Sequence, residues 1–284
     1  MSTKVTVEEL IGMKSEGRKI TVITAYDYPT AYICDKIGMD IILVGDSVGM
    51  TVLGYKNTIP VTMEEMILFT KAVARGTEKA FLVADMPFMS YNINPSVAIE
   101  NACRLIKEGG ADAVKIEGGL RMKSTIKHMV EAGIPVMGHI GMTPQTAPLW
   151  SGYKVQGKTS ASAIKIIEDA RSLVDAGAFS IVLELVTTEV ARLVTEDIQI
   201  PTIGIGSGAS CNGQVLVLHD ILGMSNKLSP KFVKSYVNIS EIVHSALTKY
   251  RQDVVRGTFP DDKHTFHMEE DEYMKLIKLK NKKI

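Results

Sequence analysis

IKEGGADAVKIEG, residues 106–118, reads as the end of a helix, a glycine turn and a short apolar strand that closes on an acid. Glycine suits the left-handed residue that ends a helix, and AVKIE has the length of a buried strand. The same order recurs in CDKIGMDIILVGD (34–46) and LVDAGAFSIVLEL (173–185), and more weakly in ARGTEKAFLVAD (74–85) and EAGIPVMGH (131–139). A βα unit repeated without linkers favours a parallel sheet covered by helices. The pattern predicts strands at Ile20–Tyr26, Asp40–Gly45, Ala80–Ala84, Ala113–Glu117, Pro135–His139, Ser180–Glu184, Thr202–Ile205 and Val215–Leu218, with helices between them. The expected architecture is a (β/α)8 TIM-type barrel with a short N-terminal helix and a C-terminal helical extension. A doubly wound open sheet is the alternative, but its Gly-rich phosphate turn follows the first strand, where this chain has AYDYPTAY (25–32). Residues 1–267 are expected to form one barrel domain and 268–284 a charged tail.

Several helix starts are legible. Thr6 with Glu9 and Thr62 with Glu65 are capping boxes, and Asn94-Pro95 supplies a cap followed by proline at the first helical position. Two connections are long, Ser47–Val61 and Gly141–Thr159, and long βα loops tend to be lids or binding loops. The second carries Trp150, Tyr153 and Lys154, read as a lid or as packing of the loop onto the barrel.

Composition narrows the function classes. An apolar fraction of 45% is that of a globular chain. Lys plus Arg (32) balance Asp plus Glu (32), so neither nucleic acid nor an anionic membrane is an expected partner. No secretory leader or membrane span is expected. Cys34, Cys103 and Cys211 lack disulfide or zinc spacing, which points to reduced thiols in a cytoplasm. Cys211 is read as a buried thiol rather than a nucleophile.

Chemistry concentrates at the downstream strand ends, which share one rim in a parallel barrel. Asp46, Asp85, Glu117, His139 and Glu184 each end such a run, and Lys115 lies two residues before Glu117. Side chains two apart on a strand face the same way, so Lys115 and Glu117 point together, into the lumen if Val114 and Ile116 face the helices. That pair alone could be a structural ion pair. With Asp46, Asp85 and Glu184 added, the excess negative charge is costly without a cation. Carboxylate oxygens suit Mg²⁺ better than zinc. Such an ion would polarise the carbonyl of a 2-oxo acid, while Glu184, set in apolar SIVLEL, could remove the proton alpha to it. IGIGSG (203–208) follows the seventh strand, where barrels often bind phosphate; the alternative reading is a tight turn only. His219 is read as a hydrogen-bonded structural histidine.

TAYDY (24–28), VGDSVGMTVLGY (44–55), ADMPFMSY (84–91), VKIEGG (114–119), GHIGMTPQ (138–145), GYKVQGK (152–158) and GIGSGASCNGQVLVLHDILG (204–223) resemble the ketopantoate hydroxymethyltransferase family, in this order, from about Ile20 to about His267. The resemblance implies a Mg²⁺-dependent barrel enzyme of pantothenate and coenzyme A biosynthesis. Such an enzyme passes a one-carbon unit from 5,10-methylenetetrahydrofolate to 3-methyl-2-oxobutanoate, giving 2-dehydropantoate. It implies Asp46, Asp85 and Glu117 as the metal shell, and Asp46, Ser47, Asp85 and Lys115 as the keto-acid site. Glu184 is implied as proton acceptor, with His139 beside it. It also implies a homo-oligomer, a decamer built from dimers. Thr187-Thr188, Ser207 and Asn212 depart from the family pattern; the latter two are expected near a folate region. The rival enzyme reading is a Mg²⁺-dependent carbon–carbon lyase or mutase on a 2-oxo acid, with a Schiff-base aldolase through Lys115 as its variant. A non-catalytic scaffold would not need the charge cluster.

Overall fold

The computed structural model describes residues 4–150, 154–224 and 230–282. Strands β1 (Ile20–Thr24), β2 (Ile41–Val44), β3 (Phe81–Asp85), β4 (Ala113–Glu117), β5 (Val136–Gly141), β6 (Ser180–Glu184), β7 (Thr202–Ile205) and β8 (Gly213–Leu216) follow one another around a closed parallel barrel, and β8 pairs back onto β1. Helices α1 (Val7–Ser15), α2 (Tyr28–Lys36), α3 (Val48–Thr51), α4 (Met63–Ala74), α5 (Pro95–Lys107), α6 (Lys123–Glu131), α7 (Ser160–Asp175), α8 (Thr188–Asp197) and α9 (Leu218–Ile221) belong to the barrel unit. The expected (β/α)8 fold is the one adopted.

Strand alternation divides the apolar residues into two layers. Val114 and Ile116 of β4 join Leu105, Ile126 and Leu173 in the layer between strands and helices. Ala113 instead joins Phe81, Val83, Met137, Val182 and Ile203 inside the barrel. Lys115 and Glu117 share the parity of Ala113 and so face the lumen, as the spacing predicts. The expected capping boxes start α1 and α4, and Asn94 caps α5 ahead of Pro95.

α1 closes the upstream end. Its Leu10 and Met13 are buried in the interior cluster with Ile20, Ile41 and Phe179. Lys14 Nζ donates to the carbonyls of Thr195, Ile198 and Ile200 at 2.8, 2.7 and 3.1 Å. These carbonyls lie at the end of α8, where the helix has no acceptor-satisfying turn of its own.

Three features depart from the sequence reading. β8 begins at Gly213 rather than Val215, because a Cβ at 213 would stand 2.5 Å from the Ile20 carbonyl oxygen, so glycine permits the pairing with β1. The chain then leaves the sheet early: Leu218 N–H bonds Thr24 Oγ1 at 3.0 Å and opens α9. No helix lies between β7 and β8. Residues 206–212 alone return the chain to the upstream end, which suffices because both strands are only 4 residues long. Gly76, in one of the weaker repeats, has no left-handed backbone; a Cβ there would meet the Tyr28 carbonyl oxygen at 2.7 Å.

The chain divides into two compact units, Met1–Tyr236 and Val237–Ile284, a division that falls ahead of the 267/268 boundary read from sequence. The second unit contains α10 (Ile239–Arg256) and α11 (Glu270–Asn281), neither with a buried residue. α11 carries Glu270, Asp271 and Glu272 in its first turn and Lys278 and Lys280 in its last, which complements the helix dipole. No helix among the described residues is long and apolar enough to cross a membrane.

Leu10→Ala is expected to destabilise the protein by about 2–5 kcal/mol, the cost of emptying a buried leucine site. Urea unfolding followed by circular dichroism measures it, and a loss below about 1 kcal/mol would contradict the role of α1 as the interior's lower wall.

Candidate active site

Asp46, Asp85, Lys115, Glu117, His139 and Glu184 all line one cavity of about 770 Å³ at the downstream ends of the strands. Five come from strand register: Asp85 pairs with Lys115, Glu117 with His139, and Gly141 with Glu184 across neighbouring strands. Asp46 lies two residues beyond the end of β2, and its backbone N–H donates to Asp85 Oδ2 at 3.1 Å. The closed barrel thus assembles the whole predicted set.

Lys115 Nζ stands 3.0 Å from Asp85 Oδ1 and 3.3 Å from His139 Nδ1, with both partners buried. Burial acts to discharge this ammonium, but Asp85, Glu117 and Asp46 outweigh it and hold its pKa above the ordinary lysine value. The Asp85 contact lacks the alignment of a hydrogen bond, so Oδ1 remains a buried acceptor without a donor. Asp46 is raised well above the usual carboxylate range, by burial first and then by Asp85 and Glu117. Glu117 is pushed up to about 7 by burial, against the pull of Lys115 and the Gln145 N–H.

His139 is held below its usual pKa by burial and by Lys115, so the ring is neutral. A charged ammonium can only donate, which makes Nδ1 the acceptor and leaves the proton on Nε2. That nitrogen lies 3.1 Å from Glu184 Oε2, a close contact bent away from hydrogen-bond alignment. Glu184 is the least covered acid of the set, its side chain 13% exposed. Burial raises its pKa and His139 opposes the rise, the direction expected of a base set among apolar residues.

The backbone beside Glu184 is strained and tightly held. Leu185 has φ +48, a left-handed conformation uncommon for a residue other than glycine. Its N–H donates to Ile205 O at 2.9 Å, and its carbonyl accepts from Gln156 N at 2.7 Å. Ser207 Oγ donates to Leu183 O at 2.7 Å and accepts from Val186 N at 3.0 Å. The Gly141–Thr159 connection therefore docks beside the end of β6 through Gln156. Tyr153 lies outside the described residues, as does the side chain of Trp150. The Ser47–Val61 connection folds back through α3, with Thr58 and Val61 buried.

Ser47 reaches the cavity, its Oγ 2.7 Å from the Tyr26 hydroxyl. Tyr26 is buried and its phenol pushed up to about 12, chiefly by burial. His219, on α9, lies 5.5 Å from the Tyr26 ring, and its Nδ1 has no hydrogen-bond partner among the described residues. Ser207 is buried in the β6–β7 contacts. Asn212 lies at the upstream end, where its side-chain oxygen accepts from Thr202 N and its carbonyl from Ile20 N, across the barrel sheet from the downstream strand ends. With no helix after β7, IGIGSG lacks the helix N-terminus that would hold a phosphate. The Cys211 thiol is buried and raised by that burial, which fits an inert thiol.

Two residues escaped the sequence reading. Gln145, in a 3-10 turn after β5, and Tyr91, in the loop after β3, are both buried and join Asp46 to Glu117. Gln145 closes the GHIGMTPQ stretch, but no periodicity there marks it as a partner of the acids.

The acid set fits a hard divalent cation. Buried Asp85, whose Oδ1 faces only the Lys115 ammonium, and Asp46, raised by burial and then by Asp85 and Glu117, both gain from added positive charge. Among the described residues no three His, Cys, Asp or Glu side chains group into a ready-made metal cage; a Mg²⁺ shell would need water or substrate to complete it.

Comparison with known proteins places this geometry. The ketopantoate hydroxymethyltransferase family model matches residues 4–262. A 3-methyl-2-oxobutanoate hydroxymethyltransferase from Nitrosopumilus maritimus is 54% identical over 270 residues, covering 95% of this chain and 96% of the relative. One from Syntrophobacter fumaroxidans is 52% identical over the full length of both chains. Solved structures of a phosphonopyruvate hydrolase (TM-score 0.60, 12% identity, 98% of this chain and 97% of that one) and of 2,3-dimethylmalate lyase, a PEP mutase/isocitrate lyase superfamily member (0.58, 15%, 97% and 95%), share the fold.

Lys115→Met is expected to cost about 3–5 kcal/mol of stability, because it leaves Asp85, Asp46 and Glu117 buried without their cation. Adding Asp85→Asn should restore part of that loss. Urea unfolding of both single variants and the double variant measures the coupling; strictly additive losses would refute the pairing.

Proposed function

This chain belongs to the ketopantoate hydroxymethyltransferase family and is a hydroxymethyltransferase, and on that premise we propose that its barrel mouth joins a one-carbon unit from 5,10-methylenetetrahydrofolate to C3 of 3-methyl-2-oxobutanoate, giving 2-dehydropantoate. The observation that carries the reading is the placement of Glu184 beside neutral His139, on the same cavity as the Lys115–Asp85–Asp46 charge cluster. Asp46 and Asp85 would hold Mg²⁺, with Glu117 as the further acid of its shell. When bound, that ion withdraws electron density from the keto oxygen and so acidifies the neighbouring C–H.

The chain's own groups have distinct tasks. Lys115 stays charged against its burial and neutralises the substrate carboxylate, with Ser47 and the two aspartates completing the keto-acid site. Glu184 takes the C3 proton, and the C–H electron pair becomes available to form the new bond. His139, its Nε2 3.1 Å from the Glu184 carboxylate, packs beside the base and limits its movement. C3 then bonds the methylene carbon, both bonds from that carbon to the folate nitrogens break, and water supplies the hydroxyl oxygen; the proton taken from C3 and one proton of the water end on the two nitrogens, and no oxidant or reductant is consumed. A cavity of about 770 Å³ far exceeds a five-carbon acid, which supports a second, larger substrate in the same space. Cytoplasmic location and a homo-oligomeric state belong to the same proposal. A lyase on the same barrel would share the keto-acid site, but the family match covers residues 4–262 and favours transfer.

Deuterium exchange at C3 of 3-methyl-2-oxobutanoate, without folate, isolates the proton step. Exchange is expected to require divalent cation and to stop with EDTA. Its rate should rise with pH and level off once Glu184 is ionised, at a pKa above the ordinary glutamate value, because only the carboxylate accepts a proton. Glu184→Gln should lower the rate about 10²–10⁴-fold. Cation-independent exchange, or wild-type exchange in Glu184→Gln, would sink the proposal.

A further inference from the structure

The amide of Gln145 makes four hydrogen bonds inside the acid cluster, counting its backbone. Gln145 N–H donates to Glu117 Oε2 at 3.0 Å, and Nε2 donates to Asp46 Oδ2 and Met86 O, each at 2.9 Å. Oε1 accepts from the Tyr91 hydroxyl at 2.6 Å. The residue is 3% exposed, so these bonds form away from bulk water.

The orientation of the amide follows from its partners. The Tyr91 oxygen accepts the Glu117 backbone N–H at 3.2 Å, which directs the hydroxyl proton to Gln145. Tyr91 therefore faces Oε1, and Nε2 is left for Asp46 and for the Met86 carbonyl, which can only accept. A flipped amide would set its oxygen against a carboxylate and a carbonyl. Tyr91 loses its proton only with difficulty, because burial and Glu117 raise its pKa.

We propose that Gln145 is a positioning residue that engages Oδ2 of Asp46 and thereby offers the cation a single oxygen of that aspartate, favouring Mg²⁺ over larger divalent ions. Mg²⁺ takes carboxylates through one oxygen in a strict octahedron, whereas Ca²⁺ accepts both oxygens of one carboxylate in a looser and larger shell. A carboxylate with one oxygen tied to a rigid amide is pre-set for the first geometry and hindered in the second. By linking Asp46 and Glu117 through one residue, Gln145 also fixes the spacing of two acids that come from different strands. Such outer partners commonly change metal affinity by about 10–100-fold when removed. The inference rests on the proposed Mg²⁺-dependent function.

The test is titration of EDTA-stripped, full-length protein with MgCl₂ and with CaCl₂ by isothermal calorimetry, in the presence of saturating 3-methyl-2-oxobutanoate. Gln145→Met keeps the length of the side chain and removes its donors. It should weaken Mg²⁺ about 10–100-fold and Ca²⁺ by much less, so the Mg²⁺/Ca²⁺ preference falls. Tyr91→Phe, which retains the ring and frees the amide to rotate, should move the preference in the same direction by a smaller factor, and it carries the test if Gln145→Met does not fold. An unchanged preference in the folded variant, including equal weakening of both ions, overturns the proposal. Failure of the wild-type protein to bind Mg²⁺ would instead overturn the functional reading beneath it.

Discussion

A single buried ammonium lets the acids of this barrel lie together. Lys115 touches Asp85 directly, and its field, with those acids, reaches Asp46 and Glu117. Remove it, and the interior holds carboxylates that burial already drives toward their neutral forms. The closed sheet imposes this arrangement: once β4 is paired on both sides, the parity that buries Ala113 inside the barrel also brings Lys115 and Glu117 inside. Chemistry and packing are therefore two uses of one strand alternation.

How much of this could be read in the sequence depended on how each residue is positioned. Residues placed by a strand were legible, because period two and a terminal acid survive in one dimension. Asp85, Lys115, Glu117, His139 and Glu184 are of this kind. Asp46 was legible only because it follows its strand so closely. Gln145 and Tyr91 act from irregular segments, where direction is set by turns with no period, so nothing in their spacing marks them. The same limit explains the eighth strand: the close approach of Gly213 to the Ile20 backbone depends on a neighbour nearly two hundred positions away. The upstream position of Asn212 was not legible, because the return from β7 has no helix to mark where the chain crosses the barrel.

The region around Glu184 shows what fixes a base that must stay reactive. Leu185 is held in an unfavourable conformation by bonds from β7, from the Gln156 segment and, through Val186, from Ser207. Conformations of this sort persist where surrounding contacts over-determine them. The Ser207 hydroxyl satisfies the Val186 backbone N–H, which a methyl at that position could not.

The contact of Lys14 with the end of α8 ties residues separated by 181 to 186 positions. During synthesis the first helix emerges long before the carbonyls it grips or the last strands that complete its apolar seat. Until then Leu10 and Met13 face no finished partner, and the upstream mouth of the sheet stays open. Closure of so non-local a structure is a late event, and slow by topology. The nascent chain therefore passes a stage in which the apolar face of its first helix has no interior cluster to join.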